Sequence, residues 1–319
     1  MMTNYFKLIQ NENMKIYRRA SAKIMLIILI GLLLLGAIVI KANMPDKATD
    51  PHWQQQLQSE IKQDRAALNN MKDNDSYQNY YKSEIAIDQY RLDHHLPPSN
   101  QETLWKFVEG ATQTMMLVIS IFTIIVVSGS IAGEFNSGTI KLLLIRPIYR
   151  TEILLSKYIA SLLFALASLL LLFICSWLIG GLFFGFGGAD EVHLSYVGNA
   201  VRESSWTLAI WKNYLLNGAS LLIMVTLAGA IAALFRNGGL AIGLTIFLLM
   251  GSNMIIEFIS KYDWVKYVLF ANMDLTQYYN GQQLRNDMSL GFSLAVLAVY
   301  YVIFVVCGWL FYTKRDVHA

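Results

Sequence analysis

The 319-residue sequence predicts an all-α polytopic membrane protein with six transmembrane helices, on three observations. Hydrophobic residues make up 55% of the chain and charged residues 15%, against about 45–50% and about 25% in soluble domains. The apolar surplus is gathered into six runs, each close to the roughly 17–25 residues that a helix needs to cross a hydrocarbon core. Only one polar block, residues 43–110, is large enough to fold outside the bilayer. A soluble enzyme is excluded. Cys175 and Cys307 both lie within apolar runs, as small hydrophobes, and provide no disulfide framework.

Residues 1–22 read as an interfacial segment, and the first span follows at Lys23–Ile40. Its uninterrupted run, Ile24 to Ile40, is 17 residues. That exceeds an ordinary signal-peptide core, and Lys41-Ala-Asn-Met-Pro45 follows it in place of a small-residue cleavage site, so an uncleaved anchor is expected. The remaining spans are placed at Ala111–Ala132, Lys157–Phe183, Tyr214–Phe235, Gly239–Ile259 and Met288–Tyr312, with a tail over 313–319. Small residues recur at helix-packing spacing in three of them: Ser161, Ala165, Ser168 and Cys175; Gly239 and Gly243; Gly291, Ala295 and Ala298. Packing between helices is the expected use, because lipid provides no hydrophobic drive for association.

Charge sets the orientation. With the N-terminus in the cytoplasm, the inside segments hold twelve basic and four acidic residues, and the outside segments 13 and 18. Inside is +8 and outside is −5. Eight of the outside basic residues lie between Lys41 and Lys106, in a loop long enough to weaken the positive-inside rule. Both termini are therefore expected in the cytoplasm.

The outside insert, 41–110, reads as two amphipathic helices. Trp53, Leu57 and Ile61 repeat every four residues, and Tyr77, Tyr81 and Ile85 do so again after Asp73-Asn74-Asp75. Pro97-Pro98 ends the second helix, and Trp105 and Phe107 form an interfacial belt ahead of the second span. His94-His95 does not make a metal site, since adjacent helical residues diverge and no further ligand cluster lies near. A lid, a sensor and a partner platform all remain open for the insert.

No zinc-protease helix, Cys/His zinc spacing or nucleophile elbow is present. The nearest phosphate-loop match, Gly133-x-x-x-x-Gly138-Thr139, lacks the lysine after its second glycine and follows an apolar helix. Glu257 is the only acid within the spans away from their polar ends, near the outer end of the fifth. It is a weak candidate for a gate or substrate contact, beside the plainer reading of an interfacial carboxylate near Lys261. One peripheral carboxylate is a poor engine, so a pump built on this chain would draw its energy from another subunit.

The loop after the second span carries the remaining signal. Gly138 permits a bend, Thr139 caps a short helix over about 138–147, and Pro147 stops it, with Lys141, Arg146 and Arg150 around it. A short amphipathic helix between two spans suits docking into a groove on a soluble partner. Glu134-x-x-x-Gly138-Thr139, with Leu142-Leu143, Pro147, Arg150 and Lys157, resembles the corresponding stretch of type-2 ABC exporter permeases, the membrane subunits of drug, bacitracin and polysaccharide exporters. Three further features resemble that family: an N-terminal interfacial helix at Asn4–Arg19, a very short turn at Arg236–Gly239, and re-entrant helices at Tyr262–Gln283.

The resemblance implies that Glu134 organises the loop and that Gly138-Thr139 starts a coupling helix. It implies that Arg150 and Lys157 meet the ATPase or lipid phosphates. It also implies two ATP-binding subunits, a second permease chain as homo- or heterodimer, and a bacterial plasma membrane. ATP and Mg would be bound by the partner and no cofactor by this chain, which would not itself be an enzyme and would not bind nucleic acid. The rival readings are a membrane sensor or scaffold, with the insert detecting a ligand and the loop recruiting a partner, and an intramembrane enzyme, which the missing acid, base and nucleophile sets disfavour.

Overall fold

The computed structural model describes residues 2–45, 51–70, 75–98, 101–136, 149–189 and 191–314, and these form a polytopic all-α membrane protein with six helices long and apolar enough to cross a bilayer. Helix α1 (Met2–Arg18) ends where Arg19 turns extended (φ −69°, ψ 132°), and α2 (Ala20–Ala42) starts in a new direction. Only one stripe of α2 is buried: Ala22, Met25, Leu29, Leu33 and Ala37, at helical spacing. The rest of its apolar surface faces outward.

Helices α3 (Trp53–Asn70) and α4 (Asp75–Asp93) form an antiparallel pair at one end of the bundle, which we term the hairpin end. The bundle's centre is α5 (Leu104–Asn136), α6 (Arg150–Phe184) and α7 (Trp206–Phe235). At about 1.5 Å per residue these reach roughly 45–53 Å, well beyond a core of about 30 Å. That is why each begins seven or eight residues before its apolar run: Leu104, Arg150 and Trp206 against Ala111, Lys157 and Tyr214. Hydroxyls buried within the helices donate to carbonyls one turn back, as from Thr123 to Ile119 (2.7 Å), Ser168 to Phe164 (2.9 Å) and Thr245 to Ala241 (2.8 Å), which leaves no unpaired polar group to lipid at those positions.

A β-hairpin, β1 (His193–Val197) and β2 (Ala200–Ser204), interrupts the α6–α7 connection. Gly198 and Asn199 both adopt positive φ, the requirement of a tight two-residue turn that follows the strands' twist. Helix α8 (Gly238–Ile259) follows α7 through two residues only: Arg236 closes α7 in the left-handed conformation, and Asn237 accepts from the Leu240 N–H (3.1 Å) to cap α8.

The segment expected to form re-entrant helices, 262–283, carries three short 3₁₀ helices, Asp263–Tyr267, Leu269–Asn272 and Leu275–Tyr278. Side-chain amides take the place of a helical ladder there. Fully buried Asn272 donates to the Lys266 and Val268 carbonyls (2.7 and 2.8 Å) and accepts from Ser293, while Gln277 bridges Asp274 and Leu284. The Ser220 hydroxyl of α7 donates to the Met273 carbonyl, which ties the segment to the bundle.

Helix α9 (Leu290–Lys314) completes the chain's described part, its Gly308 seated against Ala230 of α7. The small-residue stripes divide. Ser161, Ala165 and Ser168 are buried against neighbours, whereas Gly239, Gly243, Gly291, Ala295 and Ala298 face away from the chain's own helices.

Candidate functional site

The end opposite the hairpin brings α1, the last turn of α5, the first turns of α6 and the last turns of α9 together. Helix α1 carries a stripe of Tyr5, Leu8, Glu12 and Ile16 at three- to four-residue spacing, so Glu12 sits on its inward face. Opposite it on α6 stand Ile153, Ser156, Lys157, Ala160 and Phe164, all buried. Lys157 Nζ lies 3.1 Å from Glu12 Oε2, and Lys15 of α1 binds the other carboxylate oxygen. The Lys157 and Glu12 side chains are 2% and 6% exposed, that of Lys15 46%. Tyr17 and Phe164 close the contact with ring centroids 5.9 Å apart.

Burial alone would raise the Glu12 carboxyl, but Lys157 and Lys15 outweigh it and hold it below the ordinary carboxylate value. A buried pair of this kind fixes one arrangement of two helices, because separating the charges leaves one stranded in an apolar setting.

Arg150 opens α6, and its Nη1 donates to the Thr313 carbonyl in the last turn of α9 (3.2 Å). One residue on, Thr151 Oγ1 accepts from the Trp309 indole (3.2 Å). An apolar groove of about 190 Å³ lies beside this joint, lined by Leu154, Tyr158, Gly229 and Phe304 among others. The first turn of α6 is thus held from two sides, by α1 and by α9.

Among the residues expected at the site, Gly138, Thr139, Lys141, Arg146 and Pro147 lie outside the described residues, as does the side chain of Glu134, whose backbone belongs to the last turn of α5. Arg150 and Lys157 come to the same end of the molecule, in different roles. The resemblance places Lys157 at the surface, meeting a partner or lipid phosphates. Its ammonium is instead turned inward onto Glu12, because it falls on the α6 face that α1 covers. Glu257 stands at the opposite end, exposed, and accepts from the Tyr77 hydroxyl of α4 (3.3 Å).

Glu12 is a site residue that the sequence motifs do not mark. Its signal is an acid set on the apolar stripe of a segment otherwise rich in Lys and Arg. His94 stacks on Tyr90 (centroids 3.9 Å), and among the described residues no three His, Cys, Asp or Glu side chains are gathered to hold a metal.

Known proteins resemble the chain along most of its length. It is 41% identical over 313 residues to a Bacillus subtilis (strain 168) protein described as uncharacterized protein YhcI, covering 97% of this chain and 98% of that one. It is 30% identical over 213 residues to a second protein of that strain, uncharacterized membrane protein YdbK, covering 65% and 81%. The model of the family described as protein of unknown function (DUF2705) matches residues 77–318, which take in most of α4 and every described element after it. The chain is therefore a member of the DUF2705 family, and a polytopic membrane protein within it.

Proposed function

We propose that the chain is the membrane-spanning permease subunit of an ATP-binding cassette exporter, paired with a second permease chain and driven by two ATPase subunits docked at residues 138–150. In this reading the α1 end faces the cytoplasm of the cell, as the +8 charge of its segments favours. The observation that carries the reading is the bracing of the helix that receives the docking segment. The Glu12–Lys157 pair holds α6 from one side, and the Arg150–Thr313 and Thr151–Trp309 bonds hold it from the other. A segment fixed to so stiff a support passes a push on to the bundle and does not absorb it.

The loop residues Glu134, Gly138, Thr139, Pro147 and Arg150 support the same reading through their resemblance to exporter permeases. ATP and Mg would be held by the partner, whose closure rocks the two half-bundles. Only 22%, 22% and 11% of the most apolar stretches of α2, α8 and α9 are buried within the chain. That leaves apolar flanks for lipid and for a second permease, with an amphiphilic, peptide-like or lipid-like cargo passing outward between the chains.

The rival is a sensor or scaffold whose hairpin end detects a ligand, favoured by the cavity beneath α4 described below. Gly138→Pro separates the two. It should cut the ATP-binding cassette protein that co-purifies with the chain at least tenfold, with the chain still monodisperse on gel filtration. Undiminished recovery of the ATPase would overturn the coupling assignment.

A further inference from the structure

At the hairpin end a cavity of about 540 Å³ opens between α4, the C-terminal half of α8 and the 3₁₀ segment. That is the size of a small-molecule site. Its wall on α4 is a run of aromatics: Tyr77, Tyr80 and Tyr81, spaced i, i+3, i+4, share one face of the helix. Tyr80 and Tyr81 meet edge to face at 5.3 Å, and Tyr77 and Tyr80 remain 44% and 41% exposed. The floor sets apolar Ile256, Phe270 and Leu284 beside the amides of Asn253 and Gln282, and Asp274 adds a carboxylate at its edge.

The cavity is held open by bonds that do not fill it. Asn79 donates to the Gln283 carbonyl (2.9 Å), and the Asn286 N–H donates to Asp75 (3.4 Å), so α4 is pinned across the top. Gly281 (φ +67°) lets the chain pass between Ser83 of α4 and Tyr196 of β1. Gln277 spends its amide on the backbone of Ala271, Asp274 and Leu284, which fixes the floor.

The charge balance is one-sided. Asp274 lines the cavity, while Glu257, bonded to Tyr77, and Asp75 stand at its margin. Among the described residues no lysine or arginine lines it. Of the cations around it, Arg285 is paired with Asp263 and Asp287, Lys266 with Asp287, and Lys82 of α4 donates to Gln78 (3.4 Å). Tyrosine faces attract cations through their ring quadrupoles, the carboxylate adds to that attraction, and Ile256, Phe270 and Leu284 take a hydrocarbon body.

We propose that this cavity binds an amphiphilic organic cation of small-molecule size. The site uses no residue of the α1 end, so it stands or falls independently of the coupling reading.

The test uses the full-length chain in nanodiscs of zwitterionic lipid, titrated by calorimetry with tetraphenylphosphonium and with the size-matched anion tetraphenylborate, empty nanodiscs being subtracted. Saturable binding of about one tetraphenylphosphonium per chain is expected, with none for tetraphenylborate. Asp274→Asn keeps an oxygen to accept from Thr276 (2.9 Å from its N) and removes the charge. It should weaken binding at least tenfold, as should Tyr80→Leu, which removes a ring 41% exposed at the cavity wall and keeps an apolar side chain there. Equal binding of the two ions, no saturable binding of either, or affinities unchanged within twofold in both variants would overturn the proposal.

Discussion

Replacing Lys157 by methionine removes the buried ammonium and keeps most of the side-chain volume, so packing against α1 is nearly preserved. Breaking a buried ion pair from one side costs about 3–5 kcal/mol. Here Glu12 keeps Lys15, whose side chain is half exposed and whose charge is partly screened, so the loss in α1 docking is placed at roughly 2–3 kcal/mol. At about 1.4 kcal/mol per tenfold, that raises the open population of α1 by roughly 30- to 150-fold. Amide hydrogen exchange of Met2–Arg18 in detergent micelles reads this directly, since local opening sets the exchange rate.

The double variant Glu12→Leu, Lys157→Met should recover most of the protection, because no charge is then left stranded. The wild-type pair adds a pH signature. Its carboxyl lies below the ordinary value of 4.5, so its contribution is complete above that value and fades as the pH falls through the lowered one. Unchanged exchange in Lys157→Met, or a double variant as open as the single, would show that the Glu12–Lys157 pair does not hold α1.

Two further outcomes concern the hairpin end. Burial, then the charges of Glu84, Glu60 and Asp64, push the Asp88 carboxyl up to about 6, with Arg91 opposing. The α3–α4 pair is therefore most stable below the ordinary value of 3.8 and weakens as the pH rises through about 6; its exchange protection should fall over that window, less so in Asp88→Asn, and a profile the variant leaves unaltered would contradict this. In Gly281→Ala a new Cβ meets Ser83 Cβ at 2.8 Å, and the Tyr196 ring more closely, from a positive φ. Left-handed backbone at about 1–2 kcal/mol and overpacking at about 1–3 together predict a lower melting temperature and loss of α4 protection; an unshifted melt would show that the loop yields freely.

Composition and period are enough to read the six crossing helices and the helical pair at 53–93, while the N-terminal helix at 4–19 and the short turn at 236–239 enter only through the resemblance. What they do not give is contact at long range. Glu12 and Lys157 stand 145 residues apart, and local pattern shows only a misplaced acid and a lysine at a span's edge. The β-hairpin escapes a sequence reading because five-residue strands between long apolar helices leave too short a pattern. The 3₁₀ turns pass for helices because their aromatic, half-polar composition is shared by both. The deciding bonds come from Asn272 and Gln277, whose amides satisfy the backbone without a helical ladder. The glycines of α8 and the small residues of α9 carry a packing signal, but spacing does not say whether the partner is a helix of the same chain.

The composition of the complex purified from native membranes in mild detergent, determined by mass spectrometry, decides whether the chain is a permease subunit. An ATP-binding cassette protein at about one copy per chain is expected. The chain recovered without any such ATPase, across several mild detergents, would contradict it.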